Sequence, residues 1–277
     1  MKRQSAELTH AVVRTALAPV RASPEVRAEQ VTQELLGAVL EILERRGDWA
    51  RIRGEDGYEG WVNMGGLLVR SRERAEAWWD DSGGQPAVVL DAALVDDAGQ
   101  PVGRLPWGAR VALVGESAIL PDGRCGRLTQ GGWVAWAELG ARFPQSGTAV
   151  VATAQEWLGV PYLWGGRTRW GTDCSGFVQA VYRVHGFLLP RDSHQQAEVG
   201  EPIDIGSGLE ALQPGDLFFF RASDAMRVEH VAMSLGGAAI LHAAQASGFV
   251  TEGDLQRESE FERSLTARFV GARRLFR

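Results

Sequence analysis

The sequence predicts an α+β domain preceded by two small all-β barrels. Three observations carry that prediction. The first half holds an internal repeat of short alternating strands punctuated by glycine turns. Residues from about 146 onward open with helical periodicity. The same region closes with short alternating runs that suit an antiparallel sheet.

The chain has 277 residues, enough for two or three domains that each bury a core. Its apolar fraction of 45% and charged fraction of 23% are ordinary for a globular protein. A net charge of −6 argues against binding nucleic acid or an anionic membrane surface. No apolar run reaches membrane-spanning length. The opening Met-Lys-Arg-Gln-Ser-Ala-Glu-Leu-Thr-His lacks the apolar core of a signal peptide, so a cytoplasmic location is expected. The two cysteines, Cys125 and Cys174, make neither a disulfide scaffold nor a cysteine-based zinc site.

Within the repeat, Ala11-Val-Val-Arg-Thr-Ala-Leu17 recurs as Ala87-Val-Val-Leu-Asp-Ala-Ala93. Gly60-Trp-Val-Asn-Met-Gly-Gly-Leu67 recurs as Gly132-Trp-Val-Ala-Trp-Ala-Glu-Leu139. Each copy has the length and turn spacing of a small β-barrel. The copies are placed at 8–70 and 84–142, with a charged linker over 71–83 that has room for a helical turn. Trp49, Trp61 and Trp133 read as barrel core and packing.

The third domain, 146–277, begins with an apolar helix over 149–157, stopped by Gly159 and Pro161. Asp173-Cys-Ser-Gly-Phe177 then starts a second helix that runs to about Val184. Phe177, Val178, Val181 and His185 fall on one of its faces. Thr172 and Asp173 are cap-type residues, so Cys174 sits in the first turn, where unpaired N–H groups and the helix dipole favour a thiolate. Phe218-Phe-Phe220 reads as a buried central strand. Further strands are expected over 231–235, 238–243 and 269–275.

A nucleophilic thiol needs a base, and His230 and His242 flank Gly236-Gly237 on a predicted hairpin. A two-residue loop would pair 231 with 242 and put the histidines on opposite faces. A bulge or an odd-length loop would pair 232 with 242 and make them diagonal neighbours on one face. The chemistry requires the second register. His10, His185 and His194 match no catalytic pattern.

Asp-Cys-Ser-Gly-Phe (173–177), Glu-His-Val-Ala-Met (229–233) and Ile-Leu-His-Ala (240–243) together resemble the NlpC family of papain-like cell-wall cysteine peptidases. Pro161-Tyr-Leu-Trp-Gly-Gly166, Leu189-Pro-Arg-Asp-Ser193 and Leu212-Gln-Pro-Gly-Asp-Leu217 match further motifs of that family. The first half resembles two bacterial SH3-like domains. The resemblance implies a papain-like fold with Cys174 as nucleophile, His230 as base and His242 as the group that orients it. It also implies Tyr162 and Trp164 at the cleft edge, and Asp173, Ser175, Arg191, Asp192 and Ser193 lining the γ-D-glutamate and alanine subsites.

Family members cleave wall stem peptides, commonly between γ-D-glutamate and a diamino acid. Where SH3-like domains precede the peptidase, the first one closes the cleft and helps bind the free amine of L-alanine. Tyr58 matches the aromatic residue of that arrangement. Glu29 is the candidate for the amine-binding acid, with Glu25 and Glu34 as rivals. The expected partner is thus a small wall-derived peptide, with the first barrel packed on the peptidase domain, no nucleic acid, no membrane and no cofactor. A secreted wall hydrolase, another thiol amidase of the same fold, and a catalytically silent wall-peptide binder remain alternatives.

Overall fold

The computed structural model describes residues 8–78, 85–120, 123–129, 131–140, 143–206, 208–222, 227–257 and 259–276. Residues 1–7, which include most of the segment read for a leader, and 79–83 of the expected linker lie outside them. Two compact units divide the chain, residues 1–141 and 142–277.

The repeat in the sequence is a repeat of topology. Seven strands, His10–Val13, Leu17–Arg21, Gln30–Leu35, Val39–Arg46, Trp49–Arg53, Glu59–Asn63 and Leu67–Arg70, form one antiparallel sheet. Numbered by their place in the chain, they lie in the order 3-2-6-5-4-1-7. Seven more, from Gln85–Val89 to Leu139–Gly140, take the same order. Alternation explains both cores. Ala11, Val13, Leu40, Ile52 and Val62 fill the first, and Val89, Ala92, Val111, Leu113 and Val134 fill the second. The Gly-Trp-Val strands bury Trp61 and Trp133, whereas Trp49 is half-buried. The two sheets touch. Leu36 joins the second core, the Arg110 N–H donates to the Leu36 carbonyl at 2.8 Å, and Arg110 pairs with Glu55. A short helix, Arg72–Glu76, follows the first sheet where the sequence suggested linker.

The second unit is α+β. Its first helix spans Gly147–Gln155 and is capped by the Ser146 hydroxyl. The cysteine helix spans Cys174–Val184 and ends at Gly186, whose φ is +86°. It lies against the strands Val228–Gly236 and Ala239–Ala244. These belong to a six-stranded antiparallel sheet ordered Glu201–Pro202, Phe269–Arg274, Leu217–Arg221, Val228–Gly236, Ala239–Ala244, Phe249–Asp254. Phe218, Phe219 and Phe220 sit in its interior and are fully buried. Phe218, Phe220, Ala232 and Ile240 share one face, covered in part by Leu265 of the helix Glu260–Ala267. That helix and the strand Phe249–Asp254 are additions to the sequence reading. No helix of the described residues is long and apolar enough to cross a membrane.

Candidate active site

Cys174 is the first residue of its helix because Asp173 caps it. The Asp173 backbone is extended, with φ −98° and ψ −178°, and its Oδ1 accepts the Gly176 N–H at 2.8 Å. The same carboxylate accepts the Gly165 N–H on Oδ2 at 2.9 Å and both terminal nitrogens of Arg191, at 3.0 and 2.6 Å. Arg191 is only 2% exposed and also donates to the Ser175 hydroxyl at 2.9 Å and the Gly166 carbonyl at 3.3 Å. Asp173, Ser175 and Arg191, read from two motifs as subsite residues, therefore form one buried cluster that fixes the start of the cysteine helix. Gly176 is required by close approach, since a Cβ there would lie 2.0 Å from the Gly166 carbonyl oxygen.

The thiol is held between the backbone on either side of His230. Sγ donates to the Glu229 carbonyl at 3.9 Å, and the N–H groups of Val231 and Ser175 point at it. Its surroundings act against the thiolate expected from the helix position. The first turn of a helix favours a thiolate, yet burial pushes the Cys174 thiol up to about 12, and the Asp173 carboxylate adds to the rise. The Val231 N–H and the Arg191 charge recover only part of this, because removal from water is the largest cause. His230 is held well below its ordinary value by burial first, then by His242 and Arg268. Both shifts favour a neutral thiol beside a neutral imidazole over the ion pair.

The hairpin adopts the register the chemistry requires. Met233 pairs with Leu241 and Ser234 with Ile240, and a bulge follows before Gly236 pairs with Ala239. Position 232 therefore faces 242, and His230 is the diagonal neighbour of His242. The His230 Nε2 lies 2.9 Å from the His242 Nδ1. His242 is fully buried, and burial alone pushes it down to about 4. The arrangement leaves Nδ1 of His230 as the free nitrogen of the base.

Tyr162 is half-buried. Burial first, then the charges on Cys174 and Asp173, push its phenol up, so it stays neutral within electrostatic reach of the thiol. Trp164 is 59% exposed beside it. Ser193 is buried at the start of the helix Ser193–Gln196, and the half-buried Asp192 donates its N–H to the Gln195 side-chain oxygen at 3.4 Å. Gln196, absent from the sequence reading, donates to the Ser175 carbonyl at 3.1 Å and the Pro190 carbonyl at 2.8 Å. The glutamine side chain thereby ties the Arg191 loop to the cysteine helix; no sequence pattern announced it. His185 is structural, bonded to the Pro144 carbonyl at 2.6 Å and the Thr153 hydroxyl at 3.0 Å. His194 lies 3.2 Å from Arg227, and His10 belongs to the first unit.

Tyr58 and Glu29 also belong to the first unit. Tyr58 is half-buried, and its carbonyl accepts the Gly54 N–H at 2.9 Å. Glu29 and Glu25 are exposed, whereas Glu34 is 4% exposed and its Oε1 approaches the Gly54–Tyr58 turn, 2.6 Å from where a Gly54 Cβ would stand.

A cysteine at a helix N-terminus, its thiol against the backbone of a sheet strand that carries one of two bonded histidines, is the arrangement of a papain-like thiol hydrolase. Residues 159–274 match the NlpC/P60 family, and residues 20–67 match the bacterial dipeptidyl-peptidase Sh3 domain. Residues 159–274 thus form an NlpC/P60 domain, the domain of a cysteine peptidase family, and an SH3-like region stands before it in the chain. It is 29% identical over 234 residues to the gamma-D-glutamyl-L-lysine dipeptidyl-peptidase of Bacillus cereus, covering 78% of this chain and 67% of that one. A 101-residue stretch is 39% identical to the Bacillus subtilis protein of the same name, covering 35% of this chain and one third (33%) of that relative. An NlpC/P60 family protein from Bacillus cereus superposes with a TM-score of 0.78 at 23% identity, over 97% of this chain and 100% of that structure, and so shares the fold.

Proposed function

We propose that this protein hydrolyses released peptidoglycan stem peptides at the γ-D-glutamyl–diamino acid bond, with Cys174, His230 and His242 as catalytic residues. The observation that carries it is the 2.9 Å bond between His230 and His242 on one face of the hairpin whose backbone brackets the Cys174 thiol. As Sγ bonds to the substrate carbonyl carbon, its proton passes to Nδ1 of His230. The carbonyl oxygen becomes an oxyanion, met by backbone N–H groups at the helix start, where a donor is typically worth about 3 kcal/mol. The C–N bond then breaks, and His230 returns the proton to the leaving amine. Water, deprotonated by His230, attacks the thioester and releases the carboxylic acid with the thiol restored.

The bond cleaved follows the names of the relatives. Asp173, Ser175, Arg191, Asp192 and Ser193 are proposed to shape the γ-D-glutamate side, with Tyr162 and Trp164 at the edge. A free L-alanine amine would be recognised by a carboxylate of the first unit. Burial favours Glu34 over Glu29 for that task, because an exposed carboxylate in water discriminates weakly against a capped amine. Such a requirement would restrict action to peptides already cut from the wall, and we propose cytoplasmic recycling as the setting. Incubation with L-Ala-γ-D-Glu-diaminopimelate should yield L-Ala-γ-D-Glu and free diamino acid by mass spectrometry. The N-acetylated peptide should react about a thousandfold more slowly. Comparable release from intact sacculi would refute the recycling role.

A further inference from the structure

His242 uses one nitrogen on His230, and the other is the more informative. Its Nε2 is buried and has no hydrogen-bond partner among the described residues. None of the groups placed near it bonds to it. Thr251 is its cross-strand neighbour, and a Cβ on Gly253 would stand 3.9 Å from Nε2. Phe261, from the helix Glu260–Ala267, packs its ring 5.8 Å from the His242 ring, tilted by 53°. Phe261 is itself 37% exposed, so it forms the boundary between the His242 ring and solvent.

This arrangement constrains the protons. If Nδ1 of His230 is to accept from the thiol, Nε2 of His230 keeps its proton and donates to Nδ1 of His242. The single ring proton of the neutral His242 then sits on its Nε2, where no acceptor meets it among the described residues. When His230 becomes an imidazolium, His242 has no acceptor to which it could pass a proton onward. The charge stays on His230, the atom group that must protonate the leaving amine.

We propose that Phe261 is a positioning residue of the active site: it caps His242, keeps water from its outer nitrogen, and so holds the His230–His242 pair neutral and confines the working proton to His230. The inference rests on His230 acting as the base in the hydrolysis proposed above. The titratable groups on the elements packed around His242 are few. They are His230 and Glu229 on its own hairpin, Glu252 and Asp254 on the next strand, Cys174, Tyr182 and Arg183 on the cysteine helix, Glu260, Glu262 and Arg263 on the capping helix, and Arg268 beyond it. Burial accounts for the shift of His242, with no charged group contributing, while Arg268 acts on His230. The cap, rather than a counter-charge, therefore keeps His242 neutral.

The test compares the wild type, Phe261→Leu and Phe261→Ser by NMR titration of labelled histidine side chains in the free protein, alongside the pH profile of kcat/KM. In the wild type and Phe261→Leu, His242 should titrate near 4. Opening the cap with serine should raise it by about one pH unit or more. The acid limb of kcat/KM should move up with it, and leucine should restore the wild-type limb. A wild-type His242 titrating at the ordinary histidine value overturns the proposal without any variant. So does Phe261→Ser that leaves either the titration or the acid limb in place. The titration is read without substrate, so failure to cleave the tripeptide would refute the proposed function and leave the cap to be judged by NMR.

Discussion

Replacing Asp173 with asparagine separates two roles that one carboxylate combines. The side chain keeps its shape and can still accept at the helix start, but its charge is gone. Arg191, 2% exposed, would then be a buried cation without the carboxylate that pairs with it, although the Ser175 hydroxyl and the Gly166 carbonyl still accept from it. Breaking a buried pair in this way typically costs about 3–5 kcal/mol. For a unit of this size that lowers the melting temperature by roughly 10–20 °C. The thiol should respond in the opposite sense. Burial and Asp173 raise it from 9.0 to about 12, a difference of about 4 kcal/mol between thiol and thiolate. Burial is the larger part, so removing the Asp173 carboxylate while Arg191 keeps its charge should lower the thiol by about one unit. The assay is the pH dependence of iodoacetamide alkylation in a Cys125→Ser background, with calorimetry for stability. Asp173→Asn that alkylates along the wild-type profile, or that melts with the wild type, would refute the reasoning.

The remaining expectations concern the two histidines and the thiol. Cys174→Ala and His230→Ala should each abolish turnover of the tripeptide while leaving the melting transition cooperative. His242→Ala should hurt less, because orientation is lost while the base remains; equal losses for His230 and His242 would count against those roles. Stability should also depend on acid through His242. Its folded value of about 4 lies below the ordinary 6.5, so its contribution is complete above pH 6.5 and lost as pH falls toward 4. The slope is about 1.4 kcal/mol per pH unit. His185, lowered by burial, adds in the same sense. Denaturant titrations between pH 4 and 7 should show a shallower acid loss in His242→Gln; an unchanged slope would contradict the burial of that ring.

Local pattern determined much of this protein. Asp173 before an apolar 3.6-residue period is sufficient to start a helix at Cys174. The duplicated Gly-Trp-Val strands foretell two sheets of one topology. Even the missed helix had a signal, because Ser259 and Glu262 stand in capping spacing and Phe261 and Leu265 stand four apart. Interactions across the chain decided the rest. The sequence allows two registers around Gly236-Gly237. The bulge after Ser234 is selected by the whole sheet, which must place Phe218, Ala232 and Ile240 in one core. Arg191 and Asp173 are 18 residues apart and read as separate subsite residues until folding buries them together. Glu29 and Glu34 are equally plain carboxylates in sequence, and only the strand pairing of Gln30–Leu35 leaves one in water and buries the other. The protonation of Cys174 was the least legible of all. A helix N-terminus is a local feature, but desolvation is a property of everything packed around the sulfur, and there it outweighs the dipole.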